Sequence, residues 1–162
     1  MPQWKLKHKS GELYPAKIEV MKLNEAKALK NQGWEQAFDW SLYIGPQYTA
    51  TPYKLLIVGN NIIQGAVAYQ IKDDHLFIDL LESAPFNRYN HPQREFLNVA
   101  DILLGEVCLQ SFFHNKDGFV SFIPKSKLYS YYAKRFNAKL GGRGIMYLDS
   151  VAALHLIKLY YE

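Results

Sequence analysis

The stretch that decides the fold of this chain spans residues 54–81 and reads KLLIVGNNIIQGAVAYQIKDDHLFIDLL. Two apolar runs, residues 54–58 and 62–71, flank the turn Gly59-Asn60-Asn61, a combination typical of a β-hairpin. A second polar turn leads into another apolar run at residues 75–81. The pattern therefore predicts three successive antiparallel strands that form a β-meander.

The segment before the meander predicts one strand and one helix. Residues 16–21 alternate apolar and polar side chains, which is the period of a strand with one face on a core. Asn24 is a capping residue type, and we expect it to begin a short helix that runs to about Asn31 and stops at Gly33.

An aromatic segment predicts a further helix ahead of the meander. Trp34, Phe38 and either Leu42 or Tyr43 recur at helical spacing and form an apolar stripe. We expect these side chains to belong to the core. Residues 45–52 contain a Gly-Pro and a Thr-Pro pair, so we expect a loop there.

The second half of the chain predicts helices that alternate with strands. Apolar residues from Val99 to Phe113 cover a broad arc, which indicates a helix lying against the sheet. Ser126 is expected to cap the next helix, and Asn137 to end it, because Asn tolerates the left-handed conformation. The remaining predicted elements are a strand at 119–123, a helix at 127–136, a strand at 144–148 and a helix at 151–161.

The order of these elements predicts the fold class. The strand ending near Leu81 and the strand beginning near Phe119 are joined by a helical crossover, so they should be parallel in an otherwise antiparallel sheet. We expect one α+β domain over residues 1–162, with helices on both faces of a mixed sheet. The end of the first parallel strand and the start of the crossover helix should form a crevice with free N–H donors that suit a phosphate.

Composition narrows the function classes. The apolar stretches are too short to span a membrane, and the N-terminus lacks the apolar region of an export signal, so we expect a cytoplasmic protein. Cys108 is the only cysteine, and its apolar surroundings predict a buried, inert thiol. The histidines show no metal-site spacing, and no serine-hydrolase or P-loop motif is present. The net charge of +4 is dispersed along the chain, so it permits phosphate or RNA binding without predicting either.

Two further runs carry a resemblance to a known family. Residues 77–85 read FIDLLESAP, and residues 131–137 read YYAKRFN. In the order of elements and in these runs, residues 16–148 resemble the GCN5-related N-acetyltransferases. The resemblance implies that family's fold, acetyl-CoA or another acyl-CoA as cosubstrate, and transfer of a short acyl group to an amine.

The resemblance also implies which residues bind the coenzyme. The family's phosphate loop, Arg/Gln-x-x-Gly-x-Gly/Ala, corresponds to residues 95–100, of which only Ala100 fits, while Arg94 stands one place early. Glu95 brings a negative charge, and Asn98 replaces a glycine, although Asn adopts positive φ more readily than most residues. The implied coenzyme-binding residues are Leu81, Ser83, Arg94, Asn98, Val99 and Ala100.

The implied catalytic residues are Tyr132 and Glu82. Tyr132 occupies the position that in the family protonates the departing thiolate, and we favour it over Tyr131. The amine must attack unprotonated, so a carboxylate base is useful; Glu82 is the first candidate and Asp79 the second. Strand alternation puts these carboxylates on opposite faces unless a bulge intervenes.

Several alternatives remain open at this point. Because the phosphate loop is altered, a catalytically inactive binding or regulatory module is the second hypothesis. Nucleic-acid binding without catalysis is a weaker third. The acceptor amine could belong to a small molecule, a peptide, a protein or an aminoacyl-tRNA. The sequence does not decide between a monomer and a homodimer.

Overall fold

The computed structural model describes residues 2–45 and 50–162, which form eight strands and four α-helices. The strands are β1 (Trp4–Lys7), β2 (Leu13–Val20), β3 (Thr51–Ile57), β4 (Gly65–Ile71), β5 (Leu76–Ser83), β6 (Val120–Phe122), β7 (Lys139–Leu140) and β8 (Met146–Leu148). The helices are α1 (Leu23–Leu29), α2 (Val99–Phe113), α3 (Tyr129–Phe136) and α4 (Ser150–Tyr160).

All eight strands belong to one mixed sheet with the order β1-β2-β3-β4-β5-β6-β8-β7. Every neighbouring pair is antiparallel except β5 and β6, which run parallel on either side of the α2 crossover. The predicted meander is β3-β4-β5, and the predicted parallel pair is confirmed. The α+β fold class is therefore correct.

Apolar side chains fill both faces of the sheet. On one face, α2 and α4 pack on a core that includes Leu55, Val67 and Leu103. On the other face, α1 and the turn containing Trp40 cover a second core that includes Ala66. Strand alternation explains the division, since neighbouring residues such as Ala66 and Val67 point to opposite faces. The three layers correspond to the predicted α/β/α arrangement.

Strand β1 was missed by the sequence interpretation, which treated the N-terminus as a polar leader. Trp4 and Leu6 are buried and alternate with lysines, so the strand signal is present but only four residues long. β1 pairs with the adjacent β2. It also has distant partners, because Trp4 forms a bridge to Tyr161 and Lys7 contacts the segment before α2.

The start of α1 also differs from the prediction. Its N-cap is Lys22 rather than Asn24, because the Glu25 side chain accepts a hydrogen bond from the backbone N–H of Lys22 at 2.9 Å. A carboxylate three residues into a helix can satisfy the capping amide in this way. A 3₁₀ turn continues α1 to Gln32, and Gly33 ends it with a positive φ, as predicted.

The aromatic stripe at residues 34–43 does not form the predicted helix. Only Trp40–Tyr43 is helical, as a 3₁₀ turn, and Trp34 and Trp40 are buried. These aromatics pack on the sheet from a loop, so their spacing reflects contact with the second core rather than helical periodicity. Of the predicted loop, residues 46–49 lie outside the described residues, and Thr51 and Pro52 already belong to β3.

In the second half of the chain, the predicted bounds of α2 are confirmed. Ser126 does not cap α3, because a 3₁₀ turn at Ser126–Leu128 precedes the helix and the N-cap is Leu128. Asn137 ends α3 in the left-handed conformation, with φ 56°, as predicted. Within the described part of the chain, no helix is long and apolar enough to cross a membrane.

Candidate functional site

The two parallel strands separate shortly after they meet. Strand β6 pairs with β5 only at Leu76 and Phe77, although β5 continues to Ser83. The next residues after β6 lead through Pro124 into a 3₁₀ turn and then α3, and proline has no N–H with which to continue a ladder. The β6-facing edge of β5 beyond Phe77 therefore has free backbone donors and acceptors.

A cavity of about 440 Å³ lies in this gap and is called the wedge cavity here. It runs from the aromatic loop on one side of the sheet to the space between α2 and α3 on the other. Its walls are mostly apolar, with one carboxylate, two lysines and two tyrosines among them. The lining residues are Phe38, Ile78, Asp79, Leu80, Leu81, Ala100, Leu104, Phe122, Ile123, Pro124, Lys125, Lys127, Leu128, Tyr131, Tyr132 and Phe136.

Tyr132 lines the wedge cavity from α3. Its ring packs against Phe122, with ring centroids 5.0 Å apart, and stacks on Phe136 at 5.8 Å. Burial and, to a smaller extent, the neighbouring Tyr131 raise the pKa of the Tyr132 phenol. The phenol is therefore neutral near pH 7 and retains a proton that it can donate.

A β-bulge changes which face the β5 carboxylates share. Tyr69 of β4 pairs with Ile78, whereas Ala68 pairs with Leu80, so Asp79 is the extra residue. Gln70 donates to both carboxylate oxygens of Asp79, at 3.1 and 3.0 Å. The bulge brings Asp79 to the face of the sheet on which Glu82 lies. The sequence analysis placed the two carboxylates on opposite faces unless a bulge intervenes, and this bulge is that exception.

Only Asp79 of these two carboxylates lines the wedge cavity. Burial raises the pKa of Asp79, and the hydrogen bonds from Gln70 offset this in part. Desolvation of this kind makes the carboxylate a stronger base than a carboxylate in water.

Glu82 is 7% exposed and binds three donors of the surrounding loops. Its carboxylate accepts from the Glu35 backbone N–H at 2.7 Å and from Trp40 Nε1 at 2.9 Å. The Arg88 guanidinium completes the set at 3.3 Å. These bonds tie the aromatic loop and the segment after β5 to the sheet.

The first turn of α2 reaches the wedge cavity through Ala100, while Val99 is fully buried beneath it. The side chain of Asn98 does not cap the helix. Among the described residues, no side chain accepts from the amides of this first turn. Unpaired N–H groups at a helix start, together with the helix dipole, favour an anion.

Asn98 binds strand β1 instead of the helix. Its Oδ1 accepts from the Lys7 N–H at 2.8 Å, and its Nδ2 donates to the Lys5 carbonyl at 3.0 Å. Its φ is −127°, so the positive φ considered for this position does not occur. The position needs a side chain that bridges two backbone groups, which explains why it does not carry glycine.

Glu95 is likewise directed away from the helix start. Its carboxylate pairs with His8 at 2.9 Å and lies 3.9 Å from the Lys9 ammonium, and these contacts lower the pKa of Glu95. The backbone of the same segment pairs with the β1 end through Lys9 and Leu97. The Glu95 carboxylate, which was expected near a phosphate, therefore interacts with His8 and Lys9 at the end of β1 instead.

Arg94, Leu81 and Ser83 occupy different places around the gap. Arg94 donates to the carbonyls of Asn87 and Leu97, both at 3.1 Å, so it organises the loop before α2. Leu81 lines the wedge cavity and also a neighbouring cavity, whereas Ser83 lines only the neighbour.

The neighbouring cavity measures about 590 Å³ and is called the polar cavity here. It shares Phe38, Leu81 and Lys125 with the wedge cavity. The remaining lining residues are Glu35, Ala37, Glu82, Ser83, Arg88, Tyr89 and Asn90. Phe38 was assigned to the core from its spacing, and Lys125 carries no motif, so the sequence interpretation missed both as wall residues.

An ion pair between α2 and α3 was also missed. Asp101, in the first turn of α2, is 4% exposed and binds Arg135 through both carboxylate oxygens, at 3.2 and 2.6 Å. The two residues are 34 positions apart, and no local pattern links them. The pair fixes α3, and therefore Tyr132, relative to the start of α2.

Two further observations concern thiol and metal chemistry. Cys108 is buried, and burial raises the pKa of its thiol, as expected for an inert cysteine. Within residues 2–45 and 50–162, no group of three or more His, Cys, Asp or Glu side chains could hold a metal ion.

Comparison with known proteins identifies solved structures of the same fold. No protein-family model matches the sequence, and no curated protein matches it significantly. The ribosomal-protein-S18-alanine N-acetyltransferase of Escherichia coli is 13% identical, with a TM-score of 0.56 over 82% of this chain and 92% of that one. A spermidine N-acetyltransferase chimera from Vibrio cholerae SpeG and hSSAT is 12% identical, with a TM-score of 0.57 over 86% and 98%.

A third similar structure contains ligands. The aminoglycoside acetyltransferase AAC(6')-Ib, in complex with coenzyme A and kanamycin, is 14% identical, with a TM-score of 0.56 over 86% of this chain and 98% of that one. At these identities the likeness concerns the fold.

Proposed function

We propose that this chain, which has the fold of the GCN5-related N-acetyltransferases, is an N-acyltransferase that moves a short acyl group from acyl-CoA to an amine. The separation of β5 and β6 beyond Phe77 carries the proposal. It opens a cavity through the sheet where free strand edges, the start of α2 and a neutral tyrosine meet.

The walls of the wedge cavity fit the thioester arm of coenzyme A. The arm contains two amides, and the unpaired edge of β5 from Ile78 onward has backbone groups that can bind them. The apolar lining suits the methylene groups between those amides. A donor lying along β5 would bring its carbonyl near Leu81, where a backbone N–H can stabilise the developing negative charge.

The diphosphate of the coenzyme would lie at the first turn of α2. Ala100 lines the wedge cavity and provides an N–H group there, and the buried Asn98 and Val99 contribute to the positive end of the helix dipole. Anions bind helix starts of this kind. Arg94 adds a positive charge to the same loop. Arg94, Asn98, Val99 and Ala100 keep the coenzyme-binding roles that the resemblance implied, now as part of this proposal, whereas Ser83 lines only the polar cavity.

Tyr132 is proposed as the proton donor. The reaction forms a bond between the acceptor nitrogen and the acyl carbon and breaks the carbon–sulfur bond, so the sulfur must gain a proton. The raised pKa keeps the Tyr132 phenol protonated. Contact with Phe122 and stacking on Phe136 hold the tyrosine ring at the cavity wall. The phenol is then reprotonated from solvent.

Asp79 is the better placed of the two candidate bases. It lines the wedge cavity and its pKa is raised, so it can take a proton from the acceptor ammonium directly or through a water molecule. Glu82 already accepts three hydrogen bonds, which favours a role in holding the loops. Comparing Asp79→Asn with Glu82→Gln separates the roles: we expect loss of turnover with retained stability only for Asp79.

A binding or regulatory module without turnover is the second candidate function. One observation favours it: the buried Asp101 carboxylate stands in the first turn of α2, where it would repel a diphosphate. Its bidentate pairing with Arg135 reduces that repulsion.

One titration separates the two candidates. Acetyl-CoA at 100 times its dissociation constant should raise the stability of the purified protein by about 2.7 kcal/mol, visible as a higher melting temperature. Stabilisation together with thiol release in the presence of amines supports the acyltransferase. Stabilisation without thiol release in the presence of any amine supports a module that binds the coenzyme without turnover. No stabilisation at millimolar coenzyme contradicts the acyltransferase and favours a module that has lost coenzyme binding.

Tyr132→Phe tests the proposed proton donor. We expect turnover to fall by roughly 100-fold while the dissociation constant of acetyl-CoA stays nearly unchanged, because only the hydroxyl is removed. Tyr131→Phe is the matched control, since Tyr131 lines the same cavity on the same helix. Equal turnover of the two variants would remove Tyr132 from the mechanism.

A further inference from the structure

We infer that the acceptor amine carries a separate anionic group, a carboxylate or a phosphate, which binds Lys125 in the polar cavity. The inference rests on the proposed function, because it assigns the acceptor side of the same site. It follows from how the two cavities join and from which charges in the polar cavity are free to meet a ligand.

The polar cavity is the natural continuation of the wedge cavity. Phe38, Leu81 and Lys125 line both cavities, so the two are adjacent. Because Asp79 and Lys125 both line the wedge cavity, an acceptor whose amine lies at Asp79 can present a second group to Lys125.

The carboxylates of the polar cavity are largely occupied. Glu82 is buried and accepts three hydrogen bonds, one of them from Arg88. Glu35 is exposed, and its Oε1 accepts from the Ala37 N–H at 3.2 Å. Only Glu35 retains substantial capacity to bind a cation of the acceptor.

The cations of the polar cavity are freer. Lys125 is exposed, and no described residue pairs with its ammonium group. Arg88 donates through one nitrogen to Glu82 and to the Gly33 carbonyl, and its other guanidinium donors remain for a ligand. The available charge of this cavity is therefore positive.

This balance distinguishes classes of acceptor. A polyamine or an aminoglycoside needs several unoccupied carboxylates, and the polar cavity offers one. An amine with a carboxylate or phosphate several bonds away can place the amine at Asp79 and the anion at Lys125. A hydrogen bond between the ligand's anionic group and the Lys125 ammonium contributes enough free energy for ligands with and without that group to differ measurably in affinity.

Matched ligands test the inference by binding, without acyl transfer. Dissociation constants from NMR amide-shift titrations should be lower for 4-aminobutanoate than for 4-aminobutanamide and butylamine, by roughly tenfold. The same comparison between O-phosphoethanolamine and ethanolamine tests phosphate, and the larger of the two effects identifies the preferred anion. Spermidine represents the polycations and should bind more weakly than the better anionic ligand.

Variants of Lys125 link the preference to the proposed residue. Lys125→Ala should remove the preference for the anionic member of each pair, and Lys125→Arg should retain most of it. Lys158→Ala is the control for net charge, because Lys158 is exposed on α4, a helix that contributes no residue to either cavity.

Three outcomes overturn the inference: no ligand of the panel binds, the neutral amines or spermidine bind as tightly as the anionic ligands, or Lys125→Ala keeps the preference. Failure of the proposed function is seen separately, as a lack of acetyl-CoA binding or thiol release. In that case, anionic amines that bind through Lys125 would show an anion site there but would overturn its assignment to an acceptor.

Discussion

The packing of α2 on the sheet can be tested at Gly65, where β4 begins. A Cβ atom at this position would lie 2.5 Å from Val99 Cγ1, 3.0 Å from Leu103 Cδ1 and 3.1 Å from the Glu82 carbonyl oxygen. Both side chains are fully buried, so neither can turn into solvent. Gly65→Ala therefore forces the first turn of α2 away from β4.

The expected cost of Gly65→Ala follows from this overlap. Overpacking of a close-packed core typically costs about 1–3 kcal/mol, and the lower chain entropy of alanine in the unfolded state offsets about 0.4–1 kcal/mol of that. We expect the free energy of unfolding to fall by about 1–2 kcal/mol, or the melting temperature by about 2–8 °C. Because Val99 begins α2, acetyl-CoA should also bind more weakly.

Urea denaturation measures the change, with Gly142→Ala as the matched control. A Cβ at Gly142 meets no atom within 4 Å, and Gly142 has no positive φ, so this variant should stay within about 0.5 kcal/mol of the parent protein. Equal stability of the two variants would refute the close approach of α2 to β4 from which the site is built.

Three further predictions concern groups near the site and the core. Burial raises the pKa of Glu106, so its charged form destabilises the fold once the pH exceeds the ordinary Glu pKa of about 4; the stability of Glu106→Gln relative to the parent should therefore increase as the pH rises above about 4, and a flat difference would contradict this. Asn98→Gly should lose about 1–2 kcal/mol of stability in urea denaturation, because two hydrogen bonds to β1 disappear, and should not strengthen acetyl-CoA binding; tighter binding would show that glycine is needed there. Asp149→Ala should cost about 1 kcal/mol by thermal denaturation, since Asp149 caps α4 at the Ala152 N–H; an unchanged melting temperature would argue against the cap.

The sequence was most informative where periodicity and turns are local. The Gly59-Asn60-Asn61 turn and its apolar flanks were enough for the hairpin, and the apolar arc from Val99 to Phe113 was enough for α2. The crossover rule then predicted the parallel strands from the order of elements alone.

Features that depend on distant partners were not predictable in the same way. Strand β1 pairs with the adjacent β2, but it is also held by Tyr161 and by Asn98, neither of which is close to it in sequence. The aromatic stripe at residues 34–43 was misread because burial on a sheet and burial along a helix select the same residue types.

The candidate site also combines features that could be predicted from the sequence with features that could not. The gap between the strands was predicted from topology, because a crossover places free strand ends beside a helix start. The bulge at Asp79 shifts a register without any turn residue to mark it, so the side of the sheet that Asp79 occupies could not be read from alternation. The absence of glycine at Asn98 is explained only by the hydrogen bonds to β1.

The central claim is that acyl-CoA binds between β5 and β6 against the first turn of α2, and hydrogen–deuterium exchange with and without acetyl-CoA tests it most directly. The claim predicts slower amide exchange at residues 78–83 and 98–101 when the coenzyme is present, with little change in α1 and α4. Unchanged exchange in both segments at saturating acetyl-CoA, or protection confined to another part of the chain, would contradict it.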